Sequence, residues 1–424
     1  MFQRALAATL GAAIVLLPAT IAHAASPPAP LTLTLAIQRA IASNPRMTIA
    51  ERDIGMSGGR RMQAGVMPNP ALSLELDGAF GTNAYQGLDQ AETTLQISQL
   101  IELGGKREAR VASAAADQEA MKWEREAVRL QVMAETTGAF VGVLAAQRRV
   151  SILTAQVNET DGFMPMLQKR VEAGASSPSE VSRARLAAEL ARVDLDKAKA
   201  ALITARRELA LQMGQPEPRF GAVSGNLLRV AAPPALQSVL REAMANPQLT
   251  KFTAVKSQRR AQVATERARA VPDVTVGAGW RYYNDTRDSG VVVSLGMPIP
   301  IFDQNQGSIL EAQENLRRAE AEEQIARNTL ISMTGRAYDG LKAAYEEVQR
   351  LRATAIPDAR ATYEGIQSGY GEGRYTLLEL LDGQNALSET ALRELEALVA
   401  FHTSLATLEG LIGRPVHLSQ GKTK

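Results

Sequence analysis

Apolar residues recur along this chain with two different periods, and the changeovers between them divide it. Between Lys106 and Ala173 the period is helical. Val128, Val132, Ala139, Val143, Ala146, Val150, Leu153 and Val157 follow one another at steps of three, four or seven, which is one seam of an α-helix. The run stands between Gly104-Gly105 and the turn Gly174-Ala175-Ser176-Ser177-Pro178, with a single proline, Pro165, near its far end. At about 1.5 Å per residue it makes a rod roughly 100 Å long. After the turn the period sharpens to seven. Val181, Ala188, Leu195, Leu202 and Leu209 form one heptad position, and Ala184, Ala191, Ala198 and Ala205 form its companion. Large residues against small ones at these spacings predict knobs-into-holes packing with closely approaching backbones.

Upstream of the rod the period drops to two. A Pro/Ala segment from Ser26 to Pro30 leads to a helix that begins near Leu35 and meets Asn44-Pro45; a second helix covers about Arg46 to Gly65 and stops before Pro68 and Pro70. Then Leu72, Leu74, Leu76 and Phe80 alternate with Ser73, Glu75 and Asp77. Alternation resumes at Thr94 to Ser98 after a polar loop with Gly81, Asn83 and Gly87. The pair reads as a hairpin, strands about 71–80 and 93–100, with one apolar and one polar face.

The whole arrangement occurs twice. Asn44-Pro45 returns as Asn246-Pro247, Met67-Pro68 as Val271-Pro272, Gly174 as Gly373 and Gly214 as Gly413, at offsets of about 200 residues. Val274, Val276, Ala278, Trp280 and Tyr282 alternate with Thr275, Gly277, Gly279 and Arg281, and Val291, Val293 and Leu295 return, predicting strands about 273–283 and 290–298. A second long helical stretch runs from Gly307 to Ser368, with Ile309, Leu316 and Leu330 offset by Ala312, Ala319 and Ala326. A last helix carries Ala391, Leu398, Leu405 and Ile412 with Leu380, Leu387, Phe401 and Leu408, its seam interrupted by Glu394. The expected organisation is a leader at 1–24, a linker at 25–34, a first repeat at 35–214, a linker at 215–235, a second repeat at 236–413 and a tail at 414–424.

Four strands cannot close a barrel, and an open edge in lipid leaves backbone groups unsatisfied at several kcal/mol each. Three chains would supply twelve strands, so a homotrimer is the smallest reasonable assembly. Its outer face would carry the leucines and valines, with Trp280 and Tyr282 as candidates for an interfacial aromatic girdle.

Composition fits this picture. The net charge of +2 gives no reason to expect a nucleic-acid partner, and aromatics at 4% suit long alanine-rich helices. The absence of cysteine excludes disulfides, thiolate metal sites and a lipid thioether. Arg4, the short apolar run from Leu6 to Leu17 and Ala22-His23-Ala24 predict an export leader cleaved after Ala24. No later stretch reaches the ~20 apolar residues of a membrane helix, so membrane contact is expected through strands.

With these features the chain resembles the TolC family of trimeric outer-membrane efflux ducts over essentially its whole mature length. Gly373-Arg374-Tyr375-Thr376-Leu377-Leu378-Glu379-Leu380-Leu381-Asp382 resembles the family's second tip turn and the start of its inner helix. Ile97-Ser98-Gln99-Leu100-Ile101-Glu102-Leu103-Gly104-Gly105-Lys106-Arg107 is similar to the strand-to-helix junction of the CzcC-like components of heavy-metal cation efflux systems. The resemblance implies a twelve-stranded outer-membrane barrel on a periplasmic α-helical tube. Its tip would dock on a periplasmic adaptor, backed by an inner-membrane proton-driven pump of the resistance-nodulation-division (RND) class. The tip turns at Gly174, Ala175 and Ser176 and at Gly373, Arg374 and Tyr375 are then the docking candidates, with Ala175 to Ser179 and Arg374 to Leu378 expected to be exposed. The carboxylates that close the tip in the family match Glu379 and Asp382. Three apart on one helix face, they would give a ring of six acids near a three-fold axis, some titrating above the usual range. Two departures stand out: the first-half counterparts are Glu180 and Arg183, and Tyr375 replaces a basic residue of the family. Many relatives carry a lipidated N-terminal cysteine, which this chain lacks.

In the mature chain the only histidines are His402 and His417, too few for a metal site, so no cofactor or bound metal is expected. No nucleophile–base pair or phosphate loop stands out, and an enzyme is not expected. Two alternatives remain open: a drug or other small-molecule duct of the same family, and a periplasmic coiled-coil adaptor or scaffold.

Overall fold

A computed structural model describes residues 30–416. The leader at 1–24, the first part of the following linker, and the tail from His417 onward lie outside the described residues. Helices α1 (Leu33–Ser43) and α2 (Pro45–Ala64) lead into strands β2 (Ala71–Asp77) and β3 (Glu92–Ile101), then into the hairpin of α3 (Lys106–Glu172) and α4 (Pro178–Gln212). The second half repeats the order. Helices α5 (Leu236–Ala243) and α6 (Pro247–Arg269) precede strands β5 (Val274–Tyr283) and β6 (Ser289–Gly296), followed by α7 (Gln306–Arg350), α8 (Ile356–Gly371) and α9 (Leu377–Ile412). Two short strands, β1 (Leu31–Thr32) and β4 (Val223–Ser224), form a separate parallel pair.

Side-chain spacing explains the helical packing. Val132, Val143, Leu153 and Val157 of the α3 seam are buried, as are Ala184, Ala188, Ala191, Leu195, Ala198 and Leu209 of α4. Ala191, Leu195 and Ala198 share one cluster with Leu153 and Val157, so the alanines admit the α3 side chains. Helix α3 also packs on α2, α6 and α9, while α9 lies against α7 and α8. Ala198→Leu is therefore expected to overpack this seam and to cost about 1–3 kcal/mol per chain. A lowered thermal midpoint of the purified protein checks it; an unchanged midpoint would place Ala198 on a free surface.

The repeated Asn-Pro pairs have a double role. The Asn44 Oδ1 accepts from the Arg46 N–H at 2.9 Å, capping α2, with Pro45 at its first turn. Its Nδ2 donates to the Gln212 carbonyl at 2.9 Å, at the end of α4. Asn246 does the same, accepting from the Gln248 N–H at 2.7 Å and donating to the Leu411 carbonyl at 2.7 Å. Each asparagine thus starts one helix and closes another, beside Gly214 (φ 69°) and Gly413 (φ 80°).

Several sequence expectations are corrected. Helix α1 begins two residues early, at Leu33, because Thr32 caps it by accepting from the Leu35 N–H at 3.4 Å. The segment read as a linker at 215–235 contributes β4; two-residue strands are too short for alternation to reveal. The first long strand ends at Asp77, and Phe80 sits in the loop at φ 58°, not on the strand face. The second long helix runs unbroken from Gln306 to Gly371 but changes its hydrogen-bond pattern on the way. A π-helical turn, Leu351–Ala355, separates α7 from α8, with the Ile356 N–H reaching back to the Leu351 carbonyl. Pro357, one residue later, has no N–H to donate, which favours the widened turn. Glu394, the break in the α9 seam, accepts from Arg352 of that turn at 2.6 Å. Finally, among the described residues α9 is long and apolar enough to cross a membrane by composition. Its apolar residues are instead spent against neighbouring helices: Leu380, Leu398, Phe401 and Leu408 are fully buried.

Candidate functional site

The four long strands form one antiparallel sheet in the order β2-β3-β5-β6, which leaves β2 and β6 unpaired on their outer sides. Register places Leu74, Leu95, Trp280 and Val291 side by side, and Leu72, Ile97, Ala278 and Val293 in the next row of the same face. These apolar residues are not covered: Leu72, Leu74, Val291, Val293 and Leu295 are each more than 70% exposed. Trp280 and Tyr282 stack on this face at 5.9 Å. The other face is polar, with hydrogen bonds linking its strands. Arg281 donates to Glu92 at 2.8 Å and to the Thr94 hydroxyl at 2.9 Å, and Gln96 donates to Ser294. An apolar sheet face of this extent is unstable in water and suited to lipid.

Charges fix the sheet on the helices. Lys106, nearly buried at the start of α3, pairs with Asp273 at 2.6 Å just before β5. The Asp273 carboxylate also accepts from the Leu103 N–H at 3.0 Å, and Glu102 holds Arg110 through both of its oxygens. The Lys106 and Leu103 bonds outweigh burial and hold the Asp273 carboxyl below its ordinary value, while the Arg110 bond does the same for Glu102. Both hairpins are thereby tied to one helical end.

At the far end of α3 two turns come together. Gly174 (φ 70°) and Gly373 (φ 79°) take the left-handed conformation, with the Ala175 N–H donating to Arg170 and the Arg374 N–H to Gly369, each at 2.8 Å. Arg170 joins the two turns. It donates to the Ser176 hydroxyl at 3.2 Å and to the Tyr370 carbonyl at 3.0 Å, and its guanidinium lies 5.0 Å from the centre of the Tyr370 ring. Tyr370 is buried, and burial pushes its phenol up. The Tyr375 ring covers Gly369, where an added Cβ would come within 2.5 Å of it. Gly174, Ala175, Gly373, Arg374 and Tyr375 are exposed, but Ser176 is half-buried by its Arg170 contact. Leu377 is buried among Phe163, Leu167, Tyr363 and Leu380, so the expected run of exposed residues from Arg374 to Leu378 is broken there. A helix's first turn must turn one side chain inward, and Leu377 is that residue.

Glu379 and Asp382 are both exposed on the first turns of α9. Glu379 is engaged within its own chain: its carboxylate accepts from the Thr376 N–H at 2.7 Å and the Thr376 hydroxyl at 2.8 Å, while the Glu379 N–H donates back to that hydroxyl. These bonds hold the Glu379 carboxyl below its ordinary value within the single chain. His402 is half-buried, its Nε2 2.8 Å from the Leu227 carbonyl, and burial lowers its pKa. Among the described residues no three His, Asp or Glu side chains are grouped to hold a metal ion.

A family model described as outer membrane efflux protein matches residues 36–215 and 239–414, both halves of the duplication. The chain belongs to that family. The cobalt-zinc-cadmium resistance protein CzcC of Cupriavidus metallidurans is 30% identical over 385 residues, covering 91% of this chain and 90% of that protein. The nickel and cobalt resistance protein CnrC of the same organism is 30% identical over 336 residues, covering 77% and 78%. Among solved structures, CusC, studied for conformational changes accompanying folding and transmembrane channel formation, superposes with a TM-score of 0.73 at 16% identity, covering 90% and 92%. Membership of the efflux family implies an outer-membrane location and a channel's work. In this member the junction motif from Ile97 to Arg107 has a physical content: the Glu102–Arg110 and Lys106–Asp273 pairs tie the strands to the start of α3, with Gly104 left-handed between them. The clamp at Arg170 was missed from sequence, since a basic residue in a helix's last turn is common and signals only the dipole.

Proposed function

We propose that three copies of this chain form the outer-membrane duct of a tripartite RND-type export system, and that its cargo is heavy-metal cations. One observation carries the assembly: a sheet with one uncovered apolar face and two unpaired edges. Pairing β6 of one copy with β2 of the next would satisfy both edges and close a twelve-stranded barrel with its apolar face to lipid. The paired helical hairpins would then build the periplasmic tube, with α3 at 67 residues giving a rod of about 100 Å. The cargo class is supported by the names of CzcC and CnrC; among the described residues no metal ligands are grouped, and we propose that the duct conducts ions without holding them while the pump chooses among them. A deletion strain tested across zinc, cobalt, cadmium, nickel, copper and several drugs checks this. Sensitivity to metals, restored by the wild-type gene, is expected; sensitivity to drugs alone would move the protein to the drug-efflux reading.

The tips at Gly174–Ser176 and Gly373–Tyr375 are proposed as the surface that meets the periplasmic adaptor, and Glu379 with Asp382 as the narrowest ring of the resting duct. Because the chain has no cysteine, single cysteines can be placed cleanly. Cysteine at Ala175 and at Tyr375 should crosslink to the adaptor, whereas one at Glu346 on α7 should not. Crosslinks from Glu346→Cys with none from the tips would mean the docking end is misassigned.

A further inference from the structure

The two halves of the duplication differ where a sheet hairpin passes into its long helix. Between β3 and α3 lie four residues, 102–105, tied by the Glu102–Arg110 and Leu103–Asp273 contacts. Between β6 and α7 lie nine, 297–305, beginning Met297-Pro298-Ile299-Pro300-Ile301-Phe302. Nothing in the protomer covers this insertion: Ile299 is 75% exposed, Ile301 68% and Phe302 90%. Isolated exposed apolar residues are ordinary, but four in six positions on one segment are not.

We infer that residues 297–302 form an apolar skirt below the barrel that inserts into the acyl–headgroup boundary of the membrane leaflet on the helical side. This rests on the barrel reading above and extends it beyond the strands. Three observations favour lipid as the occupant. First, the segment continues directly from Val291, Val293 and Leu295, the most exposed apolar residues of the sheet's outward face. Second, the aromatic residues of the strands, Trp280, Tyr282 and Tyr283, all lie toward the β5–β6 turn. A barrel in a bilayer is commonly girdled by aromatics at both rims, and at the helical rim the strands supply none. Phe302 is placed to do so. Third, the backbone is adapted to a partly dry setting. Pro298 and Pro300 carry no N–H, and the Ile301 N–H is satisfied by the Ile299 carbonyl at 2.9 Å. Asp303 and Gln304, which follow, are polar and return the chain to water.

The test uses full-length protein reconstituted into phosphatidylethanolamine/phosphatidylglycerol vesicles. Single cysteines Val293→Cys, Ile299→Cys, Phe302→Cys and, as a water control, Glu346→Cys carry an environment-sensitive fluorophore. Quenching is read with nitroxide lipids labelled shallowly or deeply in the acyl chain, and with aqueous iodide. Labels at 299 and 302 should be quenched at least two-fold more by the shallow nitroxide than by the deep one, and several-fold less by iodide than the label at 346. The label at 293 should respond to both nitroxides. If 293 responds but 299 and 302 are quenched by iodide as strongly as 346, the segment lies in water and the skirt is wrong while the barrel stands. If 299 and 302 respond to neither lipid nor iodide, a neighbouring copy covers them, and the skirt is again wrong. If 293 itself is untouched by lipid, the barrel reading fails.

Discussion

Gly214→Ala should disrupt the protein far more than Gly413→Ala, although the two glycines occupy equivalent places in the duplication. At both, the backbone is left-handed, which alone costs an alanine about 1–2 kcal/mol. At Gly413 little else opposes the new methyl: its nearest neighbours are the Leu130 Cδ1 at 3.3 Å and the Pro247 Cδ at 3.7 Å, both side-chain atoms. At Gly214 the methyl would come within 2.1 Å of the Ser43 carbonyl oxygen and 2.8 Å of its carbon. That backbone cannot retreat cheaply, because Asn44, the next residue, is held by its bonds to Arg46 and Gln212. A total above about 3 kcal/mol per chain is expected for Gly214→Ala, enough to lose most folded protein. Thermal unfolding and membrane yield of the two variants measure the difference. Equal effects would mean that the joint between α1 and α4 is looser than described.

The second large effect concerns conduction. If Glu379 and Asp382 line the narrowest ring, replacing both with alanine should raise single-channel conductance in a planar bilayer, reduce cation preference and abolish block by multivalent cations from the helical side. The alanine pair also removes the Thr376–Glu379 capping box, so it mixes charge with helix order. Glu379→Gln with Asp382→Asn separates them, since glutamine can still accept from Thr376. Block should vanish in both variants, whereas a larger open conductance should be confined to the alanine pair. The Thr376 bonds depress the Glu379 pKa in the folded chain, so its stabilising cap is complete above the usual carboxylate range and is lost as pH falls through the lowered value. Cation block should accordingly persist below the ordinary carboxylate value and fade only as the pH passes the lowered one. Wild-type conductance, selectivity and block in the double-alanine channel would make these two residues plain first-turn acids.

Much of the architecture was legible because its elements are long and periodic. Sixty-seven residues of seam in α3 and the alternation of Leu72, Leu74 and Leu76 cannot be mistaken for one another, and exact repeats of Asn-Pro and Gly exposed the duplication. What stayed hidden was contact between distant residues. Asn44 and Gly214 were both noticed, yet nothing in the sequence says that one closes the helix that the other ends. The β1–β4 pair is two residues long and carries no period. The π-turn needed the knowledge that Pro357 lies inside a continuing helix instead of ending one. At the tip, spacing placed Glu379 correctly on the first turn but could not show that Thr376 already holds it, nor that Arg170 bridges Ser176 and Tyr370 some 200 positions apart.

The barrel and the duct both depend on the two open edges of the sheet, and the mass of the purified particle tests them most directly. Light scattering on the detergent-solubilised full chain, corrected for bound detergent, should give three chains per particle, with no folded monomer populated on dilution. A monodisperse, folded monomer would contradict both the barrel and the duct.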